Sequence, residues 1–254
     1  MSREDISDFL TGKHLYGDDF SAEEIRGWLD DEKESYSSLF DVGGGGYGYG
    51  YHALNWEHGF RFLPGVRFRN VLGVGSSNGD EFKPIIERIG SLCILEPSER
   101  FKDGEIDGVP VRYVRPRPGG ELPFTDNSFD LITCFGTLHH IPNVSKVVGE
   151  MHRVLAVGGL ALVREPIVSL GDWRTPRKGL TARERGIPLD VFRSIIKSSG
   201  FKVLRERKCM FPRTNGHLLA DKILSRLFEW NYNYHPKSFF QKLRPTSVFY
   251  VLQK

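Results

Sequence analysis

Residues 71–82 read VLGVGSSNGDEF and residues 92–97 read LCILEP, and these two stretches decide the fold. The first is an apolar strand that runs into a turn of small residues and then a helix. The second is an apolar strand that ends in Glu96.

Glycines let the backbone come close to a ligand, and the amide end of the next helix points at the same place. Glu96 stands 21 residues after Gly75, close to the roughly 20 expected for a carboxylate that binds a ribose. The pattern predicts a site for a nucleotide-type cofactor.

From residue 69 onward, apolar strands alternate with amphipathic helices. This alternation is typical of a parallel sheet with helices on both faces, so we expect an α/β fold of the Rossmann-like, doubly wound type. The predicted strands are 70–74, 92–95, 111–114, 129–135, 159–163, 201–208 and 247–252, and the predicted helices are 79–90, 144–155 and 189–199.

The chain divides into four parts. Residues 1–64 form an N-terminal helical cap with a loop rich in glycine and tyrosine, and residues 65–211 form the core. Residues 212–244 are too many for an ordinary connection between two strands, and they predict a helical insertion that covers the substrate. Residues 245–254 supply the last strand of the core.

The N-terminal cap contains two predicted helices, at 2–10 and 21–40, the second of which starts with the capping residue Ser21. The loop that follows reads GGGGYGYGYH over residues 43–52. It is either a lid that closes aromatic rings over a ligand or a hinge between the cap and the core. A lid would bring Tyr47 and Tyr51 to the substrate.

The net charge of +3 conceals two regions of opposite sign. Residues 153–254 contain 20 Lys and Arg against 7 Asp and Glu, so they carry +13, whereas residues 1–152 contain 15 against 25 and carry −10. A basic region beside a cleft would favour an acidic substrate, and a solvated basic surface is the alternative.

Other features of the composition exclude several classes. No apolar run approaches the roughly 20 residues that span a bilayer, and the acidic start MSREDISDFL is unlike a secretory signal. The three cysteines, Cys93, Cys134 and Cys209, are odd in number and widely spaced, so they indicate neither a disulfide framework nor a zinc site. We therefore expect a cytoplasmic protein with no membrane partner and no metal.

Four blocks of sequence follow one another in the core: VLGVGSSNGDEF at 71–82, LEPSER at 95–100, ELPFTDNSFDLITCFGTLHHI at 121–141 and HRVLAVGGLALVREP at 152–166. In this order they resemble the class I S-adenosylmethionine-dependent methyltransferases, especially the small-molecule group with a Leu-Pro-Phe block. The resemblance implies a mostly parallel seven-stranded sheet whose last strand is antiparallel. It also implies that the chain binds S-adenosyl-L-methionine and releases S-adenosyl-L-homocysteine.

The resemblance places this cofactor along successive turns of the core. The glycine turn would pass beneath the methionine part, Glu96 would accept hydrogen bonds from both ribose hydroxyls, and the loop before Leu122 would lie beside the adenine. Residues at the end of the 129–135 strand complete the site, because open α/β sheets bind ligands there. The predicted cofactor-binding residues are Gly73, Gly75, Ser76, Ser77, Asn78, Gly79, Glu96, Pro97, Gly119, Gly120, Glu121, Phe135, Gly136 and Leu138.

Three positions depart from the family pattern. Gly73 and Pro118 stand where an acid is usual, and Ser77 stands where glycine is usual. A non-glycine residue in a left-handed turn costs roughly 1–2 kcal/mol, and a lost hydrogen bond to a charged group costs about 1.5–3 kcal/mol. The polar groups of residues 76–78 could compensate for these losses. Asn78 also breaks the Gly-x-Gly-x-x-Gly spacing that starts at Gly73, which argues against a dinucleotide cofactor.

Methyl transfer requires an acceptor atom that attacks the methyl group in line, so the protein must align and desolvate the reactants. A hydroxyl acceptor would benefit from a general base, and imidazole titrates near neutrality. His139 and His140 follow the 129–135 strand, and Glu165 follows the 159–163 strand. These three residues are the catalytic candidates, and a purely structural role is the alternative for the two histidines.

The loop that follows Glu165 contains Arg177, Arg183 and Arg185, and this concentration of guanidinium groups predicts recognition of an anion. Together with Tyr47 and Tyr51, they are the predicted substrate-binding residues. The leading hypothesis is therefore methyl transfer to a small, anionic acceptor, such as a metabolite or a glycan precursor. The sequence predicts no oligomeric state.

Two other functions remain open at this stage. A nucleic-acid methyltransferase is suggested by the basic C-terminal region and by Trp230, Tyr232 and Tyr234, which could stack on bases. The absence of an Asn-Pro-Pro-Tyr-like tetrad argues against it. A non-catalytic scaffold with the methyltransferase fold is suggested by the three departures from the family pattern.

Overall fold

A computed structural model describes residues 3–39, 49–177, 180–209, 223, 226–227 and 246–254. Tyr47 and almost all of the predicted insertion 212–244, with its aromatic residues, lie outside the described residues. Within the insertion, the structure gives a helical backbone at 223 and 226–227.

The core is one eight-stranded sheet. Its strands are β1 (Phe68–Val74), β2 (Ile89–Leu95), β3 (Gly104–Ile106), β4 (Val109–Val114), β5 (Phe129–Phe135), β6 (Leu155–Pro166), β7 (Lys202–Cys209) and β8 (Ser247–Gln253). Their order across the sheet is β3-β4-β2-β1-β5-β6-β8-β7. The strands β4, β2, β1, β5 and β6 are parallel to one another, whereas β3 is antiparallel to β4 and β8 is antiparallel to both β6 and β7.

The Rossmann-like, mostly parallel sheet with an antiparallel last strand is confirmed, but the predicted number of strands is too small by one. The additional strand is β3, an edge strand of three residues that pairs with β4. It has no apolar alternation and is largely exposed, so its sequence carries no strand signal. Strand β6 also begins four residues earlier than predicted, and its pairing with β5 is irregular near Leu155.

The central strands are buried on both faces, which explains their continuous apolar sequences. Neighbouring residues of a strand point to opposite faces, and the chain builds a separate hydrophobic cluster on each side. Leu72 and Ile132 belong to one cluster, and Val71 and Leu131 belong to the other. The three cysteines are buried and none forms a disulfide within the described residues; two of them lie in these central strands.

The predicted helices are found with small shifts at their ends. They are α1 (Arg3–Leu10), α2 (Ala22–Leu39), α3 (His52–His58), α4 (Val144–Val154) and α5 (Leu189–Ser198). Helix α3 was not predicted. Residues Asp80–Arg88 form a 3₁₀ helix instead of an α-helix, because Pro84 removes a backbone donor and clashes with the preceding turn. Among the helices of the described ranges, none has the length and apolar character that crossing a bilayer requires.

The first two helices of the N-terminal cap pack on the core beside the carboxyl ends of the strands. Trp28 of α2 is buried, and its indole N–H donates a hydrogen bond to the carbonyl of His140 at 2.8 Å. Tyr16 packs against Trp173 with ring centroids 4.6 Å apart. These contacts attach the cap to the loops that follow β5 and β6.

Truncating a central strand residue should be costly. We expect Ile132→Ala to lower the free energy of unfolding by about 2–4 kcal/mol, because Ile132 is fully buried in β5 and the change leaves a cavity. Val157→Ala is the matched control, since Val157 is 83% exposed and its loss should cost less than about 0.5 kcal/mol. Urea unfolding of both variants measures the difference, and equal losses would contradict this placement of the core.

Candidate active site

A cleft opens at the carboxyl ends of β1, β2 and β5, at one edge of the sheet. It contains about 950 Å³ of empty space, part of which is open to solvent. The lining residues come from the turns after these strands and from α2 of the N-terminal cap: Leu29, Glu32, Val74, Gly75, Leu95, Glu96, Pro97, Ser98, Pro116, Arg117, Gly120, Glu121, Leu122, Gly136, Thr137, His140, Ile141, Asn143 and Val147.

The turn after β1 brings its backbone to the floor of the cleft. Gly75 has φ +68°, and a Cβ atom at this position would overlap the side chain of Thr137. Its amide donates a hydrogen bond to the carbonyl of Leu95 at 2.9 Å. Both the dihedral angle and the close approach therefore require glycine at position 75.

Glu96 lies at the end of β2 and lines the cleft although only 1% of the residue is exposed. The amide of Ser98 donates a hydrogen bond to its Oε1 atom at 3.1 Å. Burial raises the pKa of Glu96, and the amides of Ser98 and Ser77 oppose this effect. A carboxylate held in this way has remaining acceptor capacity for hydroxyl groups of a ligand.

The opposite wall comes from the segment before the Leu-Pro-Phe block and from α4. Gly120 has φ +82°, and a Cβ atom there would overlap the amide group of Asn143. Asn143 donates a hydrogen bond to the carbonyl of Gly119 at 2.9 Å, which holds this loop against α4. Leu122 is buried and contributes apolar surface.

The predicted cofactor residues thus divide into two groups. Those that line the cleft are Gly75, Glu96, Pro97, Gly120, Glu121 and Gly136, and those that do not are Gly73, Ser76, Ser77, Asn78, Gly79, Gly119, Phe135 and Leu138. The second group stands behind or beside the turns that form the walls. Phe135, for example, packs against Phe60 and Phe249.

Glu81 is a buried carboxyl that the sequence analysis missed. Its Oε1 atom accepts hydrogen bonds from the hydroxyls of Ser76 at 3.0 Å and Thr133 at 2.5 Å. Burial raises the pKa of Glu81 to about 7, against the lowering effect of these hydroxyls. A Cβ atom on Gly73 would overlap the Ser76 hydroxyl, so the Ser76–Glu81 pair fills the space into which a side chain at position 73 would extend.

Ser77 adopts the left-handed conformation, with φ +52°, as expected at a position where the family has glycine. Its carbonyl accepts a hydrogen bond from the hydroxyl of Tyr113 at 2.9 Å. This contact ties the strained turn to β4 and helps to hold the conformation that serine itself disfavours.

Glu165 and His139 form a buried pair behind the cleft. Glu165 is fully buried at the end of β6, and it accepts hydrogen bonds from the amides of Thr137 and Leu138, both at 2.9 Å. Its Oε2 atom is 2.8 Å from Nδ1 of His139, and Nε2 of His139 is 3.4 Å from Glu184. Neither Glu165 nor His139 is among the cleft-lining residues.

These carboxylates determine the protonation of His139. Burial disfavours the charged ring, but the hydrogen bonds to Glu165 and Glu184 raise the pKa of His139 to about 9. Both ring nitrogens face carboxylates, so the ring is an imidazolium at neutral pH.

His140 differs from its neighbour because it does line the cleft, with 20% of its side chain exposed. Its Nδ1 atom is 2.7 Å from Oε2 of Glu32 in α2 and 3.2 Å from the hydroxyl of Thr181. Burial and the charge of His139 lower the pKa of His140, against the raising effects of Glu32 and Glu184.

His139, His140 and Glu184 could also hold a metal ion, because their ligand atoms lie within 4.8 Å of one another. Hydrogen bonds account for the same arrangement, since each Nδ1 atom is within 2.8 Å of a carboxylate oxygen.

Three arginines were predicted to bind the substrate. In the structure, each of them forms hydrogen bonds or an ion pair with other residues of the protein. Arg185 is 3% exposed and donates to the carbonyls of Tyr16, His139, Ile141 and Pro142 at 2.8–3.2 Å.

Arg177 donates to the carbonyls of residues 170, 181, 182 and 184, and Arg183 pairs with Asp31 of α2 at 2.7 Å. None of the three arginines is among the described residues that line the cleft. These guanidinium groups hold the loop after β6 and the N-terminal cap in place, and their predicted contact with a substrate stays a prediction.

Tyr51 is also outside the lining, and its ring lies 4.4 Å from the guanidinium of Arg164.

The sheet order, the antiparallel β8, the glycine turn after β1 and the buried acid after β2 agree with the class I S-adenosylmethionine-dependent methyltransferase fold that the sequence resembles. Residues 72–163 match the sequence model of the family described as "Methyltransferase domain". This match, together with solved S-adenosylmethionine-dependent methyltransferases of the same fold, supports a class I methyltransferase domain in this part of the chain.

The relatives support the same assignment. The ubiquinone/menaquinone biosynthesis C-methyltransferase UbiE of Idiomarina loihiensis is 30% identical over 144 residues, which are 52% of this chain and 56% of that protein. The chain therefore spans little more than half the length of this curated relative.

Two solved structures share the fold at low identity. An S-adenosylmethionine-dependent methyltransferase from Mesorhizobium loti has a TM-score of 0.56 and 16% identity, with coverage of 79% of this chain and 97% of that one. The 1,6-didemethyltoxoflavin-N1-methyltransferase of Burkholderia thailandensis, with its substrate and S-adenosylhomocysteine bound, has a TM-score of 0.55 and 14% identity over 92% and 91%.

Removing the buried guanidinium of Arg185 should make the protein less stable to unfolding. We expect Arg185→Ala to lower the free energy of unfolding by about 3 kcal/mol, because four carbonyls lose a charged donor. The control is Arg174→Ala, which breaks an exposed, solvent-screened pair with Asp172 and should change the free energy of unfolding far less. Denaturant unfolding compares the two, and a small loss for Arg185→Ala would contradict its structural role.

Glu81 should make stability depend on pH. The pKa of Glu81 in the folded protein is about 7, above the ordinary value of 4.5. The stabilisation that comes from protonated Glu81 is therefore fully present below pH 4.5 and is lost as the pH rises through 7. Between these values, we expect the wild type to lose up to about 3 kcal/mol more unfolding free energy than Glu81→Gln. Glu99→Gln, at an exposed position, should follow the wild type, and parallel pH profiles for all three proteins would contradict the assignment.

Proposed function

We propose that this protein transfers a methyl group from S-adenosyl-L-methionine to a small-molecule acceptor that enters the cleft beside α2. The observation that carries the proposal is the combination of the Gly75 turn and the Glu96 carboxylate at adjacent strand ends of one cleft. A methyltransferase family match over the same segment supports it.

The residues present fit this cofactor. A turn without a Cβ atom at Gly75 leaves room for close backbone contact, and Glu96 offers carboxylate oxygens to the two ribose hydroxyls. Leu122, Ile141 and Val147 add apolar surface that suits a flat base. When bound, the cofactor supplies an activated methyl group on a sulfonium.

The protein's own contribution is to orient the reactants and exclude water. The cleft is walled by strand-end turns on one side and by Leu29 and Glu32 of the cap on the other. A docked cap therefore shields the space between cofactor and acceptor, which favours an in-line displacement. Glu165 acts in this proposal through His139 and the amides of the 137–139 segment, since it lies behind the cleft wall.

The nature of the acceptor follows from the charges that face the cleft. Among the described lining residues, Glu32, Glu96 and Glu121 are acidic and Arg117 is basic. The anionic acceptor predicted from the basic loop has no support in this set, because the loop arginines are bound to carbonyls and to Asp31. An uncharged small molecule is the better match to the described walls, and carboxylated compounds belong in the acceptor screen as the test of the earlier hypothesis.

Replacing the ribose-binding acid should remove cofactor affinity without unfolding the protein. We expect Glu96→Ala to weaken the binding of S-adenosylmethionine and S-adenosylhomocysteine by about tenfold to a hundredfold or more, since two hydrogen bonds to a charged group are lost. Glu99→Ala, an exposed acid of the same loop, should bind normally. Calorimetry measures both constants. Absence of heat and thermal shift with wild-type protein would instead favour the non-catalytic scaffold.

A further inference from the structure

Two adjacent histidines at the edge of the cleft differ in the number of carboxylates that they face and in their exposure. Their ring centroids are 4.0 Å apart. The His139 ring faces Glu165 with one nitrogen and Glu184 with the other, whereas the His140 ring faces the cleft. Paired groups whose environments separate their pKa values are characteristic of acid–base sites.

Glu32 is the carboxylate that holds His140, and it comes from the N-terminal cap rather than from the core. Its Oε2 atom accepts a hydrogen bond from the Thr181 hydroxyl at 2.7 Å, and its Oε1 atom accepts one from the amide of Arg183 at 2.5 Å. Burial alone would raise the pKa of Glu32, but the hydrogen bonds from His140, Thr181 and Arg183 keep the pKa below its ordinary value.

The tautomer of His140 follows from this geometry. Glu32 is ionised and can only accept, so the short contact of 2.7 Å at Nδ1 requires that Nδ1 carries the proton. A neutral ring with its proton on Nδ1 has its lone pair on Nε2. The groups of the described residues that act on His140 include Glu32 from α2, Thr181 and Glu184 from the loop after β6, and the His139 imidazolium.

We propose that His140 is the general base of the methyl transfer, that Glu32 of the N-terminal cap is the residue that positions it, and that the acceptor is an uncharged molecule with an ionisable O–H or N–H group. This inference rests on the proposed function and adds the base, its positioning residue and the class of acceptor. The N-terminal cap then completes the active site and does more than cover it.

The atoms balance in a single displacement. The acceptor O–H or N–H bond gives its proton to Nε2 of His140, and the electron pair that remains forms the new bond to the methyl carbon. The sulfur–carbon bond of the cofactor breaks, and its electron pair stays on sulfur, which becomes neutral. The proton leaves the imidazolium of His140 for solvent after the products depart. No oxidant, reductant or further reactant is required.

The charges around the base select the acceptor. The imidazolium of His139 lies between Glu165 and Glu184, which offset its charge, and Glu32 adds a buried negative charge at the cleft wall. A carboxylate or phosphate on the acceptor would approach Glu32 unfavourably in a poorly hydrated site. A neutral phenol, enol or amine avoids that repulsion and supplies the proton.

The first test does not depend on any acceptor. The full-length protein, labelled with ¹⁵N-histidine and kept in EDTA, is titrated from pH 5 to 9, and long-range ¹H–¹⁵N spectra report the tautomer of each ring. His140→Gln identifies the His140 signals. We expect a neutral ring with the proton on Nδ1 at pH 7.5 in the wild type, beside a His139 ring that is still protonated.

The matched variants are Glu32→Gln and Asp30→Asn, which remove one negative charge each from the same helix. Asp30 is exposed. Glu32→Gln should lower the midpoint of the His140 titration, because the carboxylate no longer favours the charged ring, and Asp30→Asn should leave it unchanged. A wild-type ring with the proton on Nε2, or a His140 titration that is the same in Glu32→Gln, would overturn the proposal.

The second test uses labelled S-adenosylmethionine and pairs of neutral phenols and amines with their carboxylated counterparts. We expect turnover of the neutral members. His140→Gln should lower kcat about 10²–10⁴-fold, the usual contribution of a general base, with the affinity for S-adenosylhomocysteine unchanged. Glu32→Gln should lower kcat and shift the ascending limb of its pH profile to lower pH, which a merely structural role would not do.

Failure of this proposal and failure of the proposed function are separable. Normal binding of S-adenosylmethionine with transfer only to the carboxylated compounds would overturn the acceptor class and leave the methyltransferase assignment intact. Absence of cofactor binding in calorimetry would remove the methyltransferase function, whatever tautomer His140 adopts.

Discussion

A small set of hydrogen bonds ties the carboxyl ends of four parallel strands together, and the rest of the site depends on it. The amide of Gly75 after β1 bonds to Leu95 of β2, and the hydroxyl of Thr137 after β5 bonds to Val74 of β1 at 3.0 Å. Glu165 of β6 then accepts hydrogen bonds from the amides of Thr137 and Leu138. Because these bonds join strands that are distant in sequence, they fix the glycine turn, the acid of β2 and the histidines at one edge of the sheet.

Several charged residues in the described part of the chain hold this edge and the N-terminal cap together. Arg183 and Arg185 both lie over the ring of Trp28, at 5.7 Å and 5.1 Å, so the cap is attached through cation–π contacts as well as hydrogen bonds. Two buried acids also join these segments. Glu165 accepts a hydrogen bond from the amide of Leu138, and Glu32 contacts His140 and the hydroxyl of Thr181.

Two of the three departures from the family pattern, Gly73 and Ser77, have a physical explanation in the packing of the first turn. Gly73 leaves the space that Ser76 and Glu81 occupy, and Ser77 keeps a left-handed conformation that its bond with Tyr113 helps to hold. The turn thus supplies a buried carboxyl from the 3₁₀ helix beside a position where the family has an acid on the strand. Spacing along the chain could not reveal this arrangement, because Glu81 comes beside Gly73 only after the chain has turned back.

Local patterns in the sequence determined the order of strands and helices, the parallel sheet and the positions of Gly75 and Glu96, since apolar periodicity and left-handed turns are properties of short segments. They also placed His140 at a strand end. Only the tertiary structure decided that Glu32 reaches His140 across 108 residues, that the arginines face carbonyls and that Glu165 lies behind the cleft. The reason is that a side chain's partners and burial depend on which segments pack together, and charge or residue type along the chain does not specify that packing.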